Sequence, residues 1–434
     1  MSPTVANKDI HAALAARIQS ALNGDDLRIR AFESFRKLGL PASKHEEFKH
    51  TPVTRELENN FAFAEANPAP ASIALDSFLI PELDANVLVF VNGIFSKAHS
   101  RIVSPDSEVT IVPLEEAQAA KHPVVQQNFG MYADHNNDAF AAWNTAEWKS
   151  GVFIHVPKNS VVEKPVVIYH INDSSNGEVS ASQRNLFVVE RSAEVTVIEK
   201  FDSAGNANHF LNLVTEASVD ENAGLNLYSI QNDTGQRFQY GLTEIHQKNS
   251  SRVNTYTFTM NGKLVRNNLH LVLDGEGIES HMYGLYLLGG NTLGDNHTVV
   301  DHRKANSFSN ELYKGIMDGS SRGVFNGKIY VRPNAQKTNA FQANRNILLT
   351  DKATVNTKPQ LEIWADDVKC SHGCTSGQLD LEAMFYLQTR GISKETAQAM
   401  MLYAFAGEVV DSIKNPAIKK YLDRIISERL HKNF

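Results

Sequence analysis

The densest group of chemically reactive side chains lies in one short segment of the sequence, residues 365–377. It contains two thiols, Cys370 and Cys374, with the imidazole of His372 between them. Thiolate and imidazole are suitable ligands for iron, zinc and copper. Because side chains alternate across an extended strand, these three would project from one face. The spacing is compatible with three ligands for one metal, or with a thiol whose pKa is lowered by a neighbouring base.

The segment does not supply a complete metal site by itself. A closed structural zinc site needs four ligands, commonly arranged as two separated pairs. The sequence has no cysteine besides Cys370 and Cys374, so further ligands would have to come from a distant histidine or from another chain. A Cys–His pair can also act as nucleophile and base, although this spacing is unusual for such a dyad. The simplest alternative is an exposed loop in which these residues serve packing or polarity.

Other polar clusters give weaker signals of a functional site. Three histidines, His281, His297 and His302, lie near Asp295 and Asp301. One sequence cannot show whether these side chains converge, and we interpret them as satisfied polar residues on strand faces. They are therefore not predicted to bind a metal.

No nucleotide-binding motif is present. The glycine-rich run at 289–294 lacks the G-x-x-x-x-G-K-[ST] pattern, and no helical segment follows it. Any ATP chemistry must therefore belong to a partner. The run at 323–327 and the Asn/Gln-rich stretch at 334–346 are instead predicted to be solenoid turns, in which amide side chains satisfy buried backbone groups.

Short β-rich runs must position these residues. They lie at 87–91, 151–156, 165–169, 186–190, 195–199, 211–215, 225–228, 253–258, 269–273 and 283–288. Several alternate apolar and polar residues, as half-buried strands do. No convincing helix occurs between about residue 150 and residue 378, which excludes a doubly wound sheet with crossover helices. A sandwich or barrel and a solenoid both remain, since each protects strand edges.

Helical patterns flank the β-rich region. Residues 8–38 show apolar spacing typical of a helix, which Gly39 would end. The stretch from 55 to 85, with Pro68 and Pro70, is predicted to be a loose connection. Near the C-terminus three helices are predicted, with N-terminal signals at Asp380, Ser393 and Pro416 and an apolar stripe of Met401, Phe405, Val409 and Ile413.

Composition narrows the class of protein. The 434 residues contain two cysteines, which excludes a disulfide-rich secreted scaffold and favours the reducing cytosol. A formal net charge of −7 argues against a nucleic-acid-binding protein, because phosphate contacts need a basic surface. No secretory signal is visible, and no apolar run of about 18 residues predicts a membrane span.

Several motifs together resemble the SufB/SufD family of iron–sulfur cluster assembly proteins, most closely its SufD branch. They are Leu40-Pro41 with Glu46-Glu47-Phe48-Lys49, Val156-Pro157-Lys158 with Val162-Glu163-Lys164-Pro165, Glu311-Leu-Tyr-Lys-Gly315, Val324-Phe-Asn-Gly-Lys-Ile329, Ala335-Gln-Lys-Thr338, and Leu361-Glu-Ile through Ala365-Asp-Asp-Val-Lys-Cys-Ser-His-Gly373. These motifs extend over most of the chain.

The resemblance implies a mainly β protein. Its right-handed parallel β-helix core, expected at 86–378, would be flanked by an N-terminal helical region at 1–85 and a C-terminal helical domain at 379–434. It also implies a non-catalytic cytoplasmic scaffold subunit that pairs with a SufB-like subunit through the β-helix. The C-terminal helices would bind a SufC-like ABC ATPase.

For the site, the resemblance implies that His372 contacts iron or an iron–sulfur cluster at the interface with SufB, with Cys370 assisting or protecting. The cluster would be transient and shared with SufB, which would supply the missing ligands. SufD-like sequences usually have alanine where this chain has Cys374, so the role of that thiol stays open. It also remains open whether a reduced flavin binds in the complex and whether the isolated chain forms homodimers.

Two other classes of protein compete with this interpretation. One is an exported β-helix enzyme acting on polysaccharide, which would be expected to carry a signal sequence and clustered acids or bases on its strands. The other is a self-sufficient homodimeric metal-binding protein, in which Cys370, His372 and Cys374 of two chains meet. Metal analysis with and without a SufB-like partner distinguishes the homodimer from the shared scaffold.

Overall fold

The computed structural model describes residues 10–431, apart from 23, 43, 64–66, 68–69, 71–72 and 234–235. Predicted helical positions 8–9, Pro68 in the predicted connection, and the final residues 432–434 therefore lie outside the described residues. Most of the described chain is a parallel β-solenoid with helices on its flanks. The mainly β fold with helical N-terminal and C-terminal regions is confirmed, and the sandwich and barrel alternatives are wrong.

The solenoid consists of two sheets that the chain visits alternately. Its strands are β1 (Asn86–Val91), β2 (Ile94–Phe95), β3 (Thr110–Pro113), β4 (Val152–Val156), β5 (Val166–Asp173), β6 (Val179–Val189), β7 (Glu194–Ala204), β8 (Asn208–Val219), β9 (Gly224–Gln231), β10 (Gln236–Gln247), β11 (Arg252–Thr259), β12 (Leu264–Leu273), β13 (Glu279–Leu288), β14 (Leu293–His302), β15 (Phe308–Met317), β16 (Arg322–Val331), β17 (Asn339–Leu348), β18 (Thr354–Ile363) and β19 (Lys369–Gly377).

From β5 onward, odd-numbered strands form sheet A and even-numbered strands form sheet B. Sheet A has the order β19-β17-β15-β13-β11-β9-β7-β5-β1-β2, and sheet B has the order β18-β16-β14-β12-β10-β8-β6-β4-β3. The β1–β2 and β3–β4 pairs are antiparallel, and the remaining neighbours pair in parallel. Strands β5 to β16 contain no proline, as expected for strands paired on both sides, because proline cannot donate a hydrogen bond to a neighbouring strand.

From β4 to β17, each turn from sheet B to sheet A contains a residue in the left-handed backbone region. The turn residues are Asn159, Ser192, Asn222, Ser250, Gly277, Asn306 and Lys337, whose φ angles lie between 57° and 66°. Asparagine tolerates this conformation better than most side chains, and serine and lysine adopt it less often. Because several residue types occupy the corner and coil length varies, no rigid repeat is visible in the sequence.

The flanking helices cover the outer faces of the two sheets. They are α1 (Ile10–Ala21), α2 (Asp26–Leu38), α3 (Val53–Asn60), α4 (Leu114–Ala119), α5 (Pro123–Asn128), α6 (Ala139–Glu147), α7 (Leu381–Thr389), α8 (Lys394–Val410) and α9 (Pro416–His431). The N-terminal helices and α6 pack around Trp143 on sheet B, whereas α8 and α9 pack over Tyr228 and Tyr256 of sheet A. Within residues 10–431, none of the helices described has the length and apolar character needed to cross a bilayer.

Some local predictions need correction. The single helix predicted at 8–38 is two helices, because the Asp25 side chain caps a new one by accepting from the Arg28 N–H at 3.0 Å. Helices α3, α4, α5 and α6 were not predicted, and α3 occupies the start of the stretch at 55–85 that was predicted to be a loose connection. The supposed turns at 323–327 and 334–346 lie mostly on strands β16 and β17, and only residues 332–338 connect strands.

One fully buried carboxyl makes the solenoid sensitive to pH. Glu199 of β7 is 3% exposed and accepts hydrogen bonds from Asn185 Nδ2 at 2.9 Å and Thr215 Oγ1 at 3.2 Å. Burial raises its pKa from 4.5 to about 7. The folded state therefore keeps a proton that the unfolded chain has lost, so the free energy of unfolding falls as pH rises between these values.

We expect this carboxyl to account for about 3 kcal/mol of that fall, at about 1.4 kcal/mol per pH unit. Glu199→Gln keeps a neutral side chain of the same shape, so its unfolding free energy should depend less on pH between pH 4.5 and pH 7. Urea unfolding at several pH values measures this, with Glu221→Gln at an exposed position as control. Equal pH dependence in the Glu199→Gln variant and the unmodified chain would contradict the assignment.

Candidate functional site

The last coil of the solenoid is open. Strands β18 and β19 are the final strands of sheets B and A, with no further strand beside them in the described chain. Every residue of β5 and β6 is buried, whereas no residue of β18 is buried and every residue of β19 except the half-buried Cys370 is exposed. Exposed edge strands carry unpaired N–H and C=O groups that can pair with another chain.

Strand β19 carries the three candidate residues of the sequence. In the parallel register, Cys370, His372 and Cys374 lie beside Ala340, Gln342 and Asn344 of β17. Those three β17 residues are buried in the solenoid interior. The predicted common face is therefore present, and it is the inward face of an uncapped coil. The alternative of an exposed loop is wrong, because this segment is a strand.

The common face does not make a metal cluster within one chain. Side chains two residues apart on a strand are separated by about 7 Å, so the two thiols are about 13 Å apart. One metal ion cannot bind both at that distance. Among the residues that the structure describes, no group of three or more His, Cys, Asp or Glu side chains is arranged to hold a metal ion. His372 with one thiol is the most that this face offers.

Neither thiol is arranged as an activated nucleophile. Burial raises the pKa of Cys370, so the prediction of a thiol with a lowered pKa is wrong for this residue. The Cys374 Sγ lies 2.7 Å from Thr357 Oγ1 of β18, which closes part of the gap between the two sheets. An open pocket of ≈ 300 Å³ lies beside His372, with Gln342 also in its wall.

A strap from the N-terminal region crosses the outer face of sheet B toward the open coil. The Glu47 carboxylate accepts from Lys328 Nζ at 2.7 Å and Asn326 Nδ2 at 2.9 Å, and it lies 3.3 Å from His297 Nδ1. These partners, His297 first, lower the pKa of Glu47. Next to it, Glu46 pairs with Lys358 of β18. The Glu-Glu-Phe-Lys motif thus joins the edge strand to inner coils.

The other histidines do not converge on one point. His297 lies between Asp295 and Glu47, His302 bonds to Ser309, and His281 pairs with Glu279. Burial lowers the pKa of His302 to about 4, so its imidazole is neutral at physiological pH. All three histidines lie on strands, as predicted, and each has a partner for at least one ring nitrogen. They are not fully satisfied, because Nδ1 of His281 and Nδ1 of His302 are buried without a hydrogen-bond partner in the described chain.

The C-terminal helices combine a buried face with an exposed apolar face. Helix α7 has no buried residue, and its Leu381 and Phe385 side chains, one turn apart, are 68% and 67% exposed. Helix α8 is fixed to the last coils, since the Glu408 carboxylate pairs with Lys314 of β15 and Arg345 of β17. The predicted N-terminal caps Asp380 and Ser393 are confirmed.

Two family models match this chain. The model described as "SUF system FeS cluster assembly, SufBD core domain" matches residues 170–405, and the "SufBD protein N-terminal region" model matches residues 8–168. Their boundary falls near the start of β5, where the regular coils begin. The matched core includes the open coil, helix α7 and most of helix α8.

Curated relatives cover almost the whole chain. An iron–sulfur cluster assembly SufBD family protein of Synechocystis is 31% identical over 400 residues, which are 90% of this chain and 88% of the relative. The iron–sulfur cluster assembly protein SufD of Escherichia coli is 31% identical over 396 residues, 91% of this chain and 90% of the relative. SufD of Bacillus subtilis is 26% identical over 435 residues, 93% of both chains. The chain belongs to the SufB/SufD family of iron–sulfur cluster assembly proteins.

Proposed function

We propose that this protein is a non-catalytic cytoplasmic scaffold subunit on which an iron–sulfur cluster is assembled. It pairs with a SufB-like subunit through the open end of its solenoid and binds a SufC-like ABC ATPase through its C-terminal helices. The observation that carries the proposal is His372 on the inward face of an uncapped coil, with too few ligands among the described residues of its own chain to hold a metal. The cluster is cargo that passes through the shared site.

Pairing at the open coil follows from the physics of strand edges. Neither β18, over ten residues, nor β19, over nine, has a buried residue, and their unpaired backbone groups would be satisfied by strands of a similar solenoid. A subunit docked there would place its own side chains opposite His372. The two subunits together would then complete a ligand set that neither completes alone.

Within that shared site, His372 has the chemistry to bind iron. Its imidazole is exposed, and neutral imidazole is a common iron ligand. Cys370 is half-buried and can add a thiolate when metal binding displaces its proton, or it can protect the site as a thiol. Cys374, held against Thr357, is a weaker candidate. Binding of a reduced flavin in the complex is a separate hypothesis, and no contact of the described residues supports it.

The ATPase is proposed to dock on the exposed face of α7. Large apolar side chains at Leu381 and Phe385 match the hydrophobic centre of a protein interface. The ion pairs of Glu408 with Lys314 and Arg345 connect α8 to strands β15 and β17, and β17 pairs with β19. Nucleotide-driven movement of the helices can therefore reach the open coil and open the subunit interface.

Replacing both Leu381 and Phe385 by aspartate should abolish co-purification of the ATPase. Two charges in a desolvated interface weaken binding by several kcal/mol, whereas the fold should survive because both side chains are exposed. The test is affinity purification of this chain co-expressed with its SufB-like and SufC-like partners. Met131→Asp, at an apolar side chain that is 67% exposed outside the helical domain, is the control. Undiminished recovery of the ATPase with the double variant would refute this docking face.

The same open edge could be covered by a second copy of this chain, which keeps the homodimeric metal-binding alternative in view. Metal content distinguishes the two arrangements, since only the homodimer would hold iron without a SufB-like partner. Family membership leaves the polysaccharide-active alternative without support. The scaffold proposal requires that iron and acid-labile sulfide co-purify with the complex of this chain and its partners.

A further inference from the structure

A column of polar side chains descends from His372 into the solenoid. Along the parallel register, Glu311 of β15, Gln342 of β17 and His372 of β19 are successive neighbours on the inward face. Glu311 is 1% exposed and Gln342 is 3% exposed. The Gln342 Nε2 donates a hydrogen bond of 2.7 Å to Glu311 Oε2. The buried carboxyl of Glu311, on the preceding coil, therefore holds the Nε2 end of the Gln342 amide.

The other end of this amide has no partner. Gln342 Oε1 is buried and accepts no hydrogen bond from the described part of the chain. Buried acceptors are nearly always paired, and leaving one unpaired costs about 1–3 kcal/mol. The adjacent strand position on the open side is His372. An imidazole N–H is a donor that can satisfy this oxygen.

The fold makes room for the Gln342 amide. Gly327 of β16 faces it across the solenoid interior, and a Cβ at that position would lie 2.3 Å from Gln342 Nε2. This close approach explains why the Val-Phe-Asn-Gly-Lys motif has glycine here, within a strand and not at a turn. Gly327, Glu311 and the β17 backbone together define where the amide lies.

We propose that Gln342 is a positioning residue for His372, and this inference rests on the proposed function. Gln342 Oε1 accepts the N–H of one imidazole nitrogen, which fixes the tautomer and leaves the lone pair of the other nitrogen for iron. Metal-binding histidines commonly donate their second N–H in this way. Glu311 serves the arrangement indirectly, since it accepts from Nε2 and so turns the oxygen of the amide toward the open coil.

The test uses the co-expressed complex of this chain with its partners. Gln342→Met keeps the length of the side chain and removes the acceptor, so apparent iron affinity in a chelator competition should fall about tenfold or more. Exchanging the two groups, with Glu311→Gln and Gln342→Glu in one variant, restores an acceptor toward His372 and should recover most of the affinity. A purely structural role of Gln342 predicts no such recovery.

A second measurement does not depend on the loaded complex. In the isolated chain labelled with ¹⁵N-histidine, His372 is identified by loss of its signal in the His372→Ala variant. Gln342→Met should change the tautomer of His372 relative to the unmodified chain, whereas Ser371→Ala should not. An unchanged tautomer of His372 in the Gln342→Met variant would overturn the inference.

The outcomes separate this inference from the proposed function. Loss of iron with His372→Ala but full iron affinity with Gln342→Met overturns only the positioning role. Full iron content with His372→Ala contradicts the proposed metal contact itself. If Gln342→Met fails to assemble, the exchanged variant decides: wild-type iron affinity supports the acceptor role, and a tenfold loss in an assembled complex overturns it.

Discussion

Replacing His372 by alanine is expected to lower the iron and acid-labile sulfide content of the co-expressed complex by about tenfold or more. Changes in the residues that merely orient a metal ligand already reduce affinity by about 10- to 100-fold, and removal of the ligand itself should have at least that effect. Subunit assembly should persist, because His372 is exposed on β19. Iron and sulfide assays on the purified complex measure the change.

The matched control is Ser371→Ala on the same strand. Ser371 is also exposed, but it lies on the opposite face of β19. That variant should retain the iron and sulfide content of the unmodified complex. If His372→Ala retained both as well, with the subunits still assembled, the proposed metal contact at this residue would be abandoned.

The largest effect on stability is expected from the buried ion pair of Arg184 and Glu216, where both side chains are 0% exposed. Arg184 Nη2 donates to Glu216 Oε2 at 2.7 Å, and the carboxylate also accepts from backbone N–H groups of residues 130, 132 and 133. Arg184→Met would leave this carboxylate buried without its cation. We expect the free energy of unfolding to fall by about 3–5 kcal/mol.

Urea unfolding of the isolated chain measures this effect, and an exposed pair in the same solenoid provides the comparison. Arg191 and Glu221 are 3.0 Å apart, but their side chains are 62% and 47% exposed. Arg191→Met should change the unfolding free energy by less than about 1 kcal/mol. Similar losses for the two methionine variants would show that burial does not determine the contribution of the Arg184 pair.

The β-rich fold was predictable because the alternation of apolar and polar residues is visible in individual strands. All ten predicted runs coincide with strands of the solenoid. The ten runs leave out β2, β3, β10 and β14 to β19. In β10, the exposed end and the buried polar residues Arg237, Gln239 and Gln247 hide the alternation. Other parts of the chain cover the outer face of β10, so polar residues on that face are not exposed to water. The coil repeat was also hidden, since its corner residues vary in type.

Glycine in the Val-Phe-Asn-Gly-Lys motif shows a second limit of sequence reasoning. A glycine beside an asparagine usually indicates a turn, yet Gly327 lies within β16 and provides space for Gln342.

The apolar stripe predicted for the C-terminal helix is only partly buried. Val409 and Ile413 are buried as predicted, but Leu402 and Ala406 are buried in place of Met401 and Phe405. Which residues of a helix are buried depends on the elements that pack against the helix.

The candidate site was predictable in part. Alternation at positions 370, 372 and 374 correctly placed the three side chains on one face of a strand. Whether another coil covers that face depends on where the solenoid ends, and no local sequence pattern shows where it ends. The column beneath His372 depends on register across β15, β17 and β19, so Gln342 could not be singled out from the sequence.

Metal analysis of the purified chain, alone and in complex with a SufB-like partner, tests the shared-site account most directly. Both samples are prepared anaerobically from iron-supplied cells and assayed for iron and acid-labile sulfide per chain. The account predicts that the chain alone carries essentially neither, and that both appear in the complex and depend on His372. Stoichiometric iron and sulfide in the isolated chain would contradict a site shared between subunits.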